Sequence, residues 1–91
     1  ILNNGIVSIN VIFSKNFEII KLQIYNKGFP FSFNKEIIEE EIKEILLNKI
    51  LFIKEEIDEN NLKDLLEEIS KKTFSRNFSL KPEFFIHISL I

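Results

Sequence analysis

The sequence has no cysteine, alanine, methionine or tryptophan, and only two glycines, two prolines and one histidine. Without cysteine there is neither a disulfide framework nor a thiolate metal site, and a reducing setting, the cytoplasm, is expected. A lone histidine makes a metal centre unpromising, because such a site needs several His, Cys or clustered carboxylates at ligand spacing. Two glycines cannot form a Gly-rich phosphate loop, and no Ser/His/Asp set can be read around His87. No apolar run approaches the ~20 residues that cross a bilayer, and no basic segment leads into an apolar core with a small-residue cleavage site. Catalytic, metal and cofactor residues are therefore expected to be absent. Acidic and basic residues nearly cancel, at 14 against 12, so bulk charge does not draw this chain to nucleic acid.

What is present is a chain of 91 residues, 45% hydrophobic and 29% charged. That describes one globular domain over residues 1–91. Ile, Lys, Asn, Glu and Phe dominate, as in the coding of an A/T-rich genome, which dilutes the meaning of any single isoleucine. The first residue is Ile1, and a piece of a longer protein is expected.

Residues 5–13, GIVSINVIF, put Val7, Ile9, Val11 and Phe13 on one face and Ile6, Ser8, Asn10 and Ile12 on the other, the period of a strand. Ser14, Lys15 and Asn16 form a polar turn. Residues 17–25, FEIIKLQIY, alternate again, with Ile20, Leu22 and Ile24 opposite Ile19, Lys21, Gln23 and Tyr25. Together they read as an antiparallel hairpin. In NKGFPFSFN, Gly28 suits a strand end, Pro30 takes the chain out of the sheet, and Phe29, Phe31 and Phe33 point to one side to plug the core.

Asn34 is a candidate N-cap for a helix over Lys35–Ile57, whose apolar stripe runs through Ile38, Ile42, Ile45, Leu46, Ile50, Ile53 and Ile57. Glu36, Glu39, Glu40 and Glu41 complement its dipole. Leu47, Leu51 and Phe52 widen the stripe and predict contacts on two sides. Asp58 or Asn60 caps a second helix over about 59–75, with Leu62, Leu65, Leu66, Ile69 and Thr73 inward, antiparallel to the first. SRNFSL reads as irregular, and Lys81–Pro82 leads into a last strand, EFFIHISLI.

The pattern is α+β, β-β-α-α-β, a three-stranded sheet with two helices packed on one face. The last strand can pair with either the first or the second. Two helices leave the other face bare, and its expected residues are half apolar, so part of it should bury against a partner. The expected interface residues are Ile6, Ile12, Ile19, Tyr25, Phe85, His87 and Ile91. One basic cluster, Lys71, Lys72, Arg76 and Lys81, is the candidate for RNA contact. Its plain role is to complement the dipole of the second helix.

Three short stretches, in this order and spacing, resemble the C-terminal domain of ribonuclease J: Asn4-Gly5-Ile6-Val7, Asn26-Lys27-Gly28-Phe29 and Lys81-Pro82. Family members carry an acid where Asn4 stands and arginines where Lys27 and Lys81 stand, and a second proline where Ile86 stands. The lysines keep the charge but lose the bidentate fork. The resemblance implies a non-catalytic accessory domain supporting oligomerisation and full nuclease activity. Its partners would be the catalytic domain of the parent enzyme, further copies in a homo-oligomer, and RNA through the parent. Zinc would belong to that catalytic domain, and no membrane is involved. The alternative is a small regulatory or ligand-binding dimerisation module unrelated to RNA.

Overall fold

The computed structural model describes residues 5–16, 18–29, 32–52, 58–79 and 81–91. Five elements follow the expected order: β1 Ile6–Phe13, β2 Ile19–Lys27, α1 Lys35–Phe52, α2 Glu59–Phe78 and β3 Glu83–Leu90. The sheet order is β2-β1-β3, with β1 antiparallel to β2 and parallel to β3. This resolves the pairing of the last strand in favour of the first. The fold is α+β, with both helices on one face of the sheet.

Alternation in the central strand sets the core. Val7, Ile9, Val11 and Phe13 are fully buried beneath Ile38, Ile42 and Leu46 of α1 and Leu62, Leu66 and Ile69 of α2. Each such side chain contributes roughly 1.5–3 kcal/mol relative to an exposed one. The hairpin turn is held by Ser14. Its Oγ accepts from the N–H of Asn16 and of Glu18, and its own N–H donates to the Glu18 carbonyl at 2.9 Å.

One strand departs from its alternation. Lys21 pairs with Ile12, but Phe13 pairs with Ile19, so Ile20 is unopposed in a β-bulge. The extra residue reverses the faces at that end of β2. Ile19, expected on the bare face, is half-buried against the core, and Ile20, expected inside, is 53% exposed.

Both helix starts are capped as their sequences suggest. Asn34 Oδ1 accepts from Glu36 N at 3.0 Å, and Asp58 Oδ1 accepts from Asn61 N at 2.8 Å. Only the first part of the expected 35–57 helix falls among the described residues, since 53–57 lie outside them. Leu47, Leu51 and Phe52 are exposed, so α1 contributes one buried face, not two.

α2 continues three residues past the expected 75, absorbing most of the stretch read as irregular. Tertiary contacts explain this extension. Arg76 Nη2 lies 3.2 Å from Glu41 Oε2, Asn77 Nδ2 donates to the same carboxylate, and the Phe78 ring is 4.9 Å from Phe33. These contacts join the start of α1 to the end of α2, which makes the helices antiparallel. Ser79 ends α2 in the left-handed region (φ 56°), its N–H donating to the Ser75 carbonyl.

The rings of NKGFPFSFN enter a cluster. Phe29 and Phe33 meet each other at 5.4 Å, and both stand edge-on to Phe74, at 5.9 and 5.8 Å. Phe84 of β3 closes the other side of Phe74 at 5.4 Å. Each such pair adds roughly 0.5–1.5 kcal/mol beyond burial. Pro30 and Phe31 lie outside the described residues.

Candidate functional site

The described residues of the three stretches quoted for the family resemblance, all but Asn4, meet at one corner of the sheet. Ile6 pairs with Lys27 on one side and Glu83 on the other, and the Glu83 N–H donates to the Gly5 carbonyl at 3.0 Å. Gly5 has φ +96°, and a Cβ there would sit 2.7 Å from both the Lys27 carbonyl and the Phe29 ring. Only glycine fits. Gly28, at φ +82°, packs against it, with an added Cβ 3.4 Å from the Gly5 Cα. The physical task of these stretches is to let the end of β2 and the start of β3 close onto β1.

The helix-free face is mixed. Ile6, Tyr25, Phe85 and Ile91 are exposed on it, with Tyr25 at 49% and Phe85 at 45%. Ile12 is half-buried, and Ser8, Asn10 and Gln23 lie among these side chains. Register places Tyr25, Ser8 and Phe85 in one row across the three strands, and Gln23, Asn10 and His87 in the next. The Tyr25 hydroxyl donates to Gln23 Oε1 at 2.9 Å, which orients the ring along the sheet. His87 is exposed beside Asn10, with no acid or nucleophile opposite it in the register. Six of the seven expected interface residues share this face, and Ile19 does not.

The basic cluster also comes together. Lys71, Lys72, Arg76 and Lys81 line a groove of about 570 Å³ between the last turns of α2 and the start of β3, with Pro82 and Phe84 as its apolar floor. Three of the four cations are occupied within the chain. Lys71 lies 3.6 Å from Glu67, Lys72 donates to Glu68 at 3.0 Å, and Arg76 bridges to Glu41. The hydrogen bond from Lys72, then its charge, holds the Glu68 carboxyl below the usual carboxylate range. Exposed pairs of this kind contribute little stability, roughly 0–1 kcal/mol each, yet they cancel much of the groove's charge. Lys81 has no ion-pair partner among the described residues.

Among the described residues, no group of three or more His, Asp or Glu converges as a metal would need, and no helix is long and apolar enough to cross a membrane. One residue has a role beyond the dipole complement expected of it. Glu39 Oε2 accepts from Ile24 N at 2.7 Å, closing a donor on the outer edge of β2. Its position next to Ile38, at the margin of the buried stripe, was the available signal.

Compared with known proteins, the chain matches no family model and no curated protein.

Proposed function

We propose that this chain is a non-catalytic assembly domain, the accessory domain of a ribonuclease J-like enzyme of RNA degradation and processing. One observation carries the assembly role: Ile6, Tyr25, Phe85 and Ile91 are all exposed on the face that no helix covers. A water-facing side of an antiparallel pair normally alternates to polar residues, and large exposed apolar side chains gathered on one face mark a contact surface. The link to ribonuclease J rests on the three quoted stretches. In this reading the hydrolytic chemistry and its zinc belong to the catalytic domain of the parent enzyme, and this domain helps hold its subunits together.

Replacing Tyr25 and Phe85 together by aspartate tests the role. Both side chains are exposed, so the fold should survive, as circular dichroism would report. Subunit association of the protein, followed by sedimentation, should weaken tenfold or more. Unchanged association with both aspartates in place refutes the role of this face.

A second reading has its own observation, the convergence of Lys71, Lys72, Arg76 and Lys81 on one groove. RNA contact there predicts binding that falls with salt and weakens when the four are changed to glutamine. The three internal ion pairs favour the assembly reading.

A further inference from the structure

We propose that β3 pairs with β3 of a second copy, antiparallel and about a two-fold axis at His87, joining two three-stranded sheets into one. This contact uses the sheet edge rather than the open face, and it does not depend on which enzyme the domain serves.

Hydrogen-bond direction fixes which groups are available. Glu83 N donates to the Gly5 carbonyl at one end of β3 and Ile91 N to the Phe13 carbonyl at the other. In a parallel ladder alternate residues turn their N–H and C=O to the same neighbour. Residues 83, 85, 87, 89 and 91 therefore serve β1, and Phe84, Ile86, Ile88 and Leu90 direct theirs outward. Among the described residues no strand lies on that side, since β3 ends the sheet. The strand has no proline, lysine, arginine or bulge, and Glu83 is its only acid. An edge of this length and composition, without those guards, is a template for another strand.

The same parity selects the register. With the axis at His87, Phe84 faces Leu90 of the copy and Ile86 faces Ile88. All four outward residues then form hydrogen-bonded pairs, giving about eight bonds. A shift of the axis to Ile86 sets Leu90 against Pro82, which has no N–H to give. No like charges oppose each other, because Glu83 falls opposite Ile91. Side-chain placement agrees with the backbone. Leu90 is on the helix side of the sheet yet 49% exposed, and pairing carries it to Phe84 of the copy, over the apolar floor of the groove. Lys81, which has no ion-pair partner among the described residues, repels a cation placed at position 90.

Cysteine-free sequence makes the test direct. His87 would meet its own copy in a non-hydrogen-bonded pair, with Cα atoms about 4.5 Å apart, within disulfide range. Under oxidised glutathione, His87→Cys should form a covalent dimer. Asn10→Cys, on β1 of the same face, should not, because the two β1 strands would stand three strand spacings, roughly 14 Å, apart. Adding Leu90→Lys to His87→Cys should reduce the crosslink at least tenfold with the circular dichroism unchanged, whereas Tyr25→Asp should leave it intact. No dimer from His87→Cys, equal crosslinking from Asn10→Cys, or indifference to Leu90→Lys each overturns edge pairing. None of these outcomes bears on the open face, whose own test is the Tyr25 and Phe85 pair of changes.

Discussion

Along β2 the outer edge bends at the bulge after Ile19, carries Lys21 and Lys27, and has its Ile24 N–H closed by the Glu39 carboxylate. Along β3 the outer edge runs straight through FIHISL, with one acid at its start and no side chain among the described residues capping its outward groups. Both strands are outermost in one small sheet, and both had the same means of protection open to them. Charges, bulges and inward-reaching polar groups are how edges are kept from pairing. Their concentration on β2, against a single acid at the start of β3, leaves the outer edge of β3 the less guarded of the two among the described residues. The open face adds the second half of the comparison, since its exposed aromatics, Tyr25 and Phe85, sit one on each edge strand.

The largest expected effect comes from a change that strikes both edges. Gly5→Ala forces a Cβ into the Lys27 carbonyl and the Phe29 ring at a positive φ, and it disturbs the carbonyl that anchors Glu83. Backbone clash and conformational strain together should cost about 3 kcal/mol or more, read as a fall of ten degrees or more in the melting temperature. A melting temperature within two degrees of the parent would mean that the corner is loosely held.

Opening the guarded edge is the next step down. Glu39→Ala removes the acceptor from a half-buried backbone N–H and should cost about 1–2 kcal/mol in chemical denaturation. Glu39→Gln keeps an acceptor and should recover about half of that. If the edges differ because of this cap, the alanine variant should also aggregate faster on warming, through β2. Equal stability of the alanine and glutamine variants would show that the cap does not matter.

The smallest effect lies away from both edges. Ser79 holds a left-handed conformation at the end of α2, where glycine has no Cβ penalty. Ser79→Gly should raise stability by about 0.5–1 kcal/mol and leave association unchanged. It serves as the control that separates stability from pairing, and a coupled change in association would blur that separation.

Much of the fold was legible in the residues. Period two in GIVSINVIF, the apolar stripe of α1 as far as Ile50 and the cap at Asn34 each depend on local chemistry and are found where the sequence puts them, and of the two caps offered for α2 the structure uses Asp58. Ile19 and Ile20 were misassigned because alternation carries no record of a bulge, which arises only when two strands are set in register. The end of α2 was misjudged for a related reason. SRNF is a poor helix former by itself and is kept helical by Glu41 and Phe33, distant in sequence. Strand order was open because hydrophobic pattern does not say whether β3 joins β1 or β2. The candidate surfaces were partly legible. Tyr25, Phe85 and His87 follow from alternation alone, and the four cations were grouped by proximity in sequence. The ion pairs that occupy three of them, and the contrast between the two edges, exist only in three dimensions.

The most direct measurement is the mass of this 10.8 kDa chain by sedimentation equilibrium, from about 1 to about 500 μM, the range in which weak dimers form. Rising mass that reaches at least twice the monomer, and that falls on Leu90→Lys, is the expected result. A mass that stays at one chain throughout would contradict edge pairing, and with it any association of this chain through the open face.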